Sequence, residues 1–98
     1  MGNAQFDLIV VTNYLHRPLF DDLRAVLAPN GMLIYETFMI GNEAYGRPRS
    51  PDFLLAPDEL ADVFSDWDII AFHQGPIRAD DDSEIIAVKQ SIAVRKPT

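Results

Sequence analysis

Residues 6–38 read FDLIVVTNYLHRPLFDDLRAVLAPNGMLIYETF, and this stretch decides the fold. Phe6 to Val11 is a short, nearly continuous apolar run that ends at Thr12-Asn13. Such a run suits a strand covered on both faces, as in a parallel sheet. In RPLFDDLRAVLA, residues Leu19, Phe20, Leu23, Val26 and Leu27 recur at helical spacing on one face. Pro18 is tolerated in a first helical turn, and Asp21 and Asp22 suit the positive end of the helix. Pro29-Asn30-Gly31 stops it. MLIYETF then reads as a second buried strand, so the order strand, helix, strand predicts a right-handed parallel crossover.

Outward from this unit the pattern changes. Leu33 to Leu55, LIYETFMIGNEAYGRPRSPDFLL, leaves the second strand and loses all regular period. A chain of 98 residues rarely keeps so long an irregular segment without a use for it. Next, APDELADVFSDW places Leu60, Val63 and Phe64 on one helical face, with Pro57 near its start. DIIAFHQG predicts a third strand ended by Gly75-Pro76. SEIIAVKQSIAVRK predicts a fourth, whose alternation after Gln90 suggests an exposed position. GPIRADDDS between them is too short for a crossover helix, so the last two strands form an antiparallel hairpin. The expected architecture is one α/β domain over residues 1–98. It has about four strands, two parallel and then the hairpin, with two main helices.

Composition narrows the function classes. The chain has no cysteine, which excludes disulfides, thiolate zinc sites and cysteine nucleophiles. Its two histidines, His16 and His73, are too far apart in sequence to suggest a metal site. The net charge of −7 disfavours a general nucleic-acid surface, because acidic faces repel phosphate. Asp80-Asp81-Asp82 lacks the glycine and distal glutamate of a calcium loop and reads as a solvated turn. No apolar run approaches the ~20 residues that span a bilayer, and the expected location is cytoplasmic.

The apolar strand ending in a polar turn, the helix closing on LAPNGMLIYE, and the later helix and antiparallel hairpin together resemble a known family. They are similar to the second half of a class I S-adenosylmethionine-dependent methyltransferase, in its tellurite-resistance-like small-molecule branch. Leu27, Pro29, Asn30 and Gly31 match the leucine-x-proline-glycine-glycine-like turn before the family's fifth strand. Asn30 stands where glycine is more usual, and asparagine tolerates the left-handed conformation. The resemblance runs from about Phe6 to Lys96. It implies a partial Rossmann-like sheet in the strand order 4-5-7-6. It also implies that strands one to three, the glycine-rich turn and the ribose-binding acid are missing. The five glycines contain no G-x-G pair.

The resemblance further implies site residues. Asn13, Tyr14 and Leu15 would lie below S-adenosylmethionine at the methyl-transfer point. Tyr14, Tyr45, Arg47, Arg49 and Phe53 would meet a small-molecule substrate, with the arginines orienting an anionic one. Glu36 and His16 are the candidate catalytic groups. Each has a plainer reading. Asn13 caps the turn, the tyrosines pack, Arg47 and Arg49 pair with Glu43 and Asp52, and His16 is an exposed loop residue. His73, among apolar neighbours, reads as half-buried and hydrogen-bonded.

The expected function is small-molecule methylation in a chain too short to hold the cofactor alone. The alternative is a non-catalytic binding or scaffold module on half the fold. A small hydrolase or isomerase using Glu36 with a histidine has less behind it, since no G-x-S-x-G is present. Missing neighbours would leave Phe6–Val11 as an unpaired edge beside an apolar face. A homodimer is therefore expected, either through the first strand, repairing both defects, or through a helix face with Leu19 and Leu23.

Overall fold

A computed structural model describes residues 5–79 and 84–98; the aspartate run at 80–82 lies outside them. Four strands form one sheet in the order β1-β2-β4-β3. They are β1 (Phe6–Thr12), β2 (Leu27–Phe38), β3 (Asp68–Arg78) and β4 (Ile85–Arg95). Strand β1 pairs parallel to β2, while β4 runs antiparallel to both β2 and β3. Helix α1 (Leu19–Val26) joins the parallel pair, and the short α2 (Glu59–Val63) precedes β3.

The irregular turn near the start of β2 works through backbone geometry. Phe6 stands opposite Leu27, but Leu8 already stands opposite Met32, so residues 28–31 loop out of the ladder. Asn30 takes the left-handed conformation at φ 68°. A Cβ at Gly31 would lie 2.8 Å from the Ala28 carbonyl oxygen, closer than real side chains come, and 3.0 Å from that of Phe6, tighter than most do. The loop is tied to the chain's far end by Asn30 N–H to the Lys96 carbonyl and Lys96 N–H to that of Gly31, both 2.9 Å.

Strand parity splits the sheet into two unlike faces. Leu33, Tyr35, Ile92 and Val94 point to one side and are buried under both helices with Phe20, Leu23, Leu27, Leu60, Phe64 and Trp67. Phe64 is the hub of this layer. Its ring centroid lies 6.0 Å from that of Phe20 and 5.1 Å from that of Trp67. The other side carries no helix among the described residues. Phe6, Leu8, Val10 and Ile34 project there with 50%, 56%, 56% and 37% of their surface exposed.

Several expectations change. Strand β1 is not covered on both faces, because α1 and α2 pack on the same side. Strand β3 continues through Gly75 and Pro76 to Arg78. As an outer strand it tolerates a proline, which has no N–H to give a second neighbour. Strand β4 is central rather than exposed: its alternation reflects one covered face, with Gln90, Ile92 and Val94 buried. His73 is exposed on the open face instead of half-buried, since it sits on the edge strand opposite Ser91.

Buried Gln90 settles why so short a helix as α2 holds. Its Oε1 accepts from Leu60 N–H at 2.7 Å. Its Nε2 donates to the Ala56 carbonyl and to Gln74 Oε1, each at 3.0 Å. Gln74 in turn accepts from Asp58 N–H and donates to the Asp58 carboxylate. Free helix-start amides are thus satisfied by two glutamines from β3 and β4.

Candidate functional site

Both parallel strands end at the same edge, and the chain leaves that edge in two irregular segments. Asn13 to Leu15 leave β1, and the long loop leaves β2. The loop closes on itself: Ile40 N–H donates to the Leu55 carbonyl at 2.9 Å, and Leu55 N–H to that of Phe38 at 3.0 Å. It is therefore a compact Ω-like excursion with adjacent ends. Asn42, almost fully buried, pins it to the sheet. Its Oδ1 accepts from Val88 N–H at 3.0 Å and its Nδ2 donates to the Pro48 carbonyl at 3.3 Å.

Arg17 clamps the loop's return. Its guanidinium makes two bonds to the Glu59 carboxylate, at 2.7 and 2.9 Å, and a third to the Leu54 carbonyl at 2.9 Å. Burial pushes the Glu59 carboxyl up, but the bonds from Arg17 and from Ala56 N–H outweigh it and hold the value below the ordinary range. The same carboxylate raises the Arg17 value through its hydrogen bond.

Between these segments lies a cavity of about 210 Å³ lined by Asn13, Tyr14, Leu15, Thr37, Phe38, Pro48 and Phe53. Four of the residues singled out from the sequence, Asn13, Tyr14, Leu15 and Phe53, meet here. Tyr35 fixes the β1 wall. Its hydroxyl donates to the Tyr14 carbonyl at 2.6 Å, and burial pushes its pKa up to about 12, so it stays protonated. Asn13 adopts the left-handed conformation at φ 56°. Its side chain does not cap α1, whose N-cap position is Pro18. It accepts instead from Lys89 Nζ at 2.7 Å.

The other candidates fall outside the lining. Glu36 is on the open face, 4.0 Å from Lys89 Nζ. His16 is exposed, its ring 6.5 Å from that of Tyr14. Tyr45, Arg47 and Arg49 are exposed on the loop. Lys89, Thr37, Phe38 and Pro48 were not singled out from the sequence. Lys89 comes from β4, and its ammonium lies 4.7 Å from the centroid of the Phe38 ring. Only the register of β4 beside β2 places it there. The polar-after-apolar signal at Thr37 was legible but was credited to Glu36.

No protein-family model matches the sequence, and no curated protein matches it. Solved structures do. TehB from Haemophilus influenzae matches at TM-score 0.69 and 19% identity, over 96% of this chain and 36% of its own. The fold is that of the class I S-adenosylmethionine-dependent methyltransferases. N-methyltransferase NodS from Bradyrhizobium japonicum WM9 matches at TM-score 0.65 and 21% identity, over 98% of this chain and 53% of its own. A SAM-dependent methyltransferase from Methanosarcina mazei matches at 0.65 and 14%, over 96% and 60%. The chain thus carries a partial methyltransferase fold, spanning about a third to three fifths of these proteins' lengths.

The cofactor of that fold does not fit the described residues alone. The cavity is smaller than the ~300 Å³ at which ligand pockets usually begin. No carboxylate lines it for the ribose hydroxyls, and Glu36 is turned to the open face. Asn13, Tyr14 and Leu15 form one wall of the cavity.

Proposed function

We propose that this chain forms the acceptor-side wall of a small-molecule methyltransferase site that uses S-adenosylmethionine, in the cytoplasm. The cavity at the carboxyl ends of β1 and β2, closed over by the pinned loop, carries this reading. Open α/β sheets bind ligands at that edge. The cofactor, when bound, supplies an activated methyl group. This chain's residues shape the ground around it. Asn13, Tyr14 and Leu15 face the cofactor, held by Lys89 and Tyr35. Tyr14, Tyr45 and Phe53 surround the acceptor, Arg47 and Arg49 orient it, and apolar walls exclude water. His16 and Glu36, both outside the cavity lining, are the candidates for moving a proton from the acceptor.

Calorimetry tests the division of the site. The isolated chain binds S-adenosylmethionine no tighter than about 1 mM, some −4 kcal/mol. A dissociation constant in the low micromolar range overturns the partial-site reading.

Self-association accompanies this reading. Asn13 N–H points to β2, bonding the Glu36 carbonyl at 2.8 Å, so by strand alternation the Leu8, Val10 and Thr12 amides face the free edge. We propose a two-fold dimer through that edge. The helix-face alternative has less behind it, because Leu23 is already buried against its own sheet. Nor does edge pairing repair both defects, since it extends the sheet in its plane and leaves Leu8, Val10 and Ile34 bare. Sedimentation at micromolar concentration gives a dimer with slow exchange at the Leu8 and Val10 amides. A monomer, or fast exchange there, contradicts it.

A further inference from the structure

The eight lysines and arginines of this acidic chain divide six to two. Arg17 is held by Glu59, Arg24 by Asp66, and Lys89 by Asn13. Arg95 bonds the Asn30 carbonyl, Lys96 bonds the Leu27 carbonyl, and Arg78 is likewise engaged. Arg47 and Arg49 alone have no hydrogen bond or ion pair among the described residues. The acids expected to neutralise them are committed elsewhere or stand apart: Glu43 accepts from Gly41 N–H at 2.6 Å, and Asp52 forms no ion pair. In a protein of net charge −7, two neighbouring cations left without a partner are a departure from the rest of the surface.

Their place gives the departure meaning. The residue between them, Pro48, is part of the cavity wall, and Asn42 pins its carbonyl to the sheet. The two arginines therefore bracket, in sequence, a wall residue of a cavity whose body is mostly apolar and aromatic: Leu15, Phe38 and Phe53, with the half-exposed Tyr14. A guanidinium pair offers fork-shaped donors to an oxyanion, and an aromatic-lined cavity offers area to a flat apolar body. Resting on the methyltransferase reading of this site, we infer that its ligand is a small aromatic or apolar molecule bearing one carboxylate or phosphate. The anion is held by Arg47 and Arg49 at the rim, and the apolar body lies against Phe38 and Phe53.

Benzoate, phenyl phosphate and uncharged benzamide serve as probes in NMR titrations of the full chain. Benzoate or phenyl phosphate perturbs the Leu15, Thr37 and Phe53 amides and binds at least fivefold tighter than benzamide. The stronger of the two anions identifies the handle. Arg47→Gln with Arg49→Gln abolishes that preference and leaves benzamide binding as it was. Both positions are exposed and unpaired, so folding is preserved, and the unchanged amide spectrum of the core checks it. Equal binding of benzamide and the anions overturns the inference, as does an anion preference that survives the double substitution. These outcomes are separate from the cofactor's, since S-adenosylmethionine mapping to another edge defeats the methyltransferase reading while leaving the anion result intact.

Discussion

The two faces of this sheet are built from the same kinds of residue and end in opposite states. On one, Leu33, Tyr35, Ile92 and Val94 are sealed beneath α1 and α2. On the other, Leu8, Val10 and Ile34 are as apolar but open. A shallow depression of about 160 Å³ lies there between Ile34, Ala71, His73, Ser91 and Ala93. Apolar character along a strand therefore reports what a face can bury and not what buries it. Stability should reside in the covered layer, while the open layer should contribute little to it.

Four substitutions sharpen or break that contrast. Phe64→Ala should cost about 3–5 kcal/mol, since it empties the centre of the covered layer, whereas Val10→Thr should stay within about 0.5 kcal/mol. Urea unfolding of the two variants measures both. Equal losses would mean that the open face is packed in solution.

Gln90→Leu comes next. It keeps the apolar volume of the covered face but strands Leu60 N–H and the Ala56 carbonyl, for roughly 1–3 kcal/mol. Amide exchange in α2 should quicken ahead of exchange in β2. A variant as stable as the parent would show that water replaces the glutamine.

The smallest effect is the pH dependence of the loop clamp. The folded Glu59 value lies below its ordinary 4.5. Its stabilising contribution is therefore complete well above pH 4.5 and is lost as pH falls through the lower folded value. Glu59→Gln should remove that part of the acid sensitivity and loosen residues 41–53, seen as sharper Phe53 ring signals below neutrality. An unchanged acid profile would place the loop's anchorage wholly in Asn42.

What was legible in the sequence was local. The period of Leu19, Leu23 and Val26, the Pro29-Asn30-Gly31 turn and the short link between the last strands gave the strand and helix order. The resemblance then gave β4 its central place. What stayed hidden depended on register. Lys89 reaches Asn13 across 76 positions, and Arg17 reaches Glu59 across 42. Neither pair has a spacing that sequence pattern can detect. Alternation in β4 was mistaken for exposure because it has the same period whether the strand is central or outer. Glu36 drew attention as the polar end of a buried strand, yet parity sends it to the open face and leaves Thr37 beside the cavity.

The central claim is that the carboxyl edge of β1 and β2 carries a methyltransferase site wall. Titrating the labelled chain with S-adenosylmethionine to ~10 mM, beyond the ~1 mM bound set for the isolated chain, tests it most directly. The account predicts shifts concentrated at Asn13, Leu15 and Thr37, with the Ala71 and Ala93 amides of the open face unmoved. Shifts confined to the open face, or saturation in the low micromolar range, would contradict it.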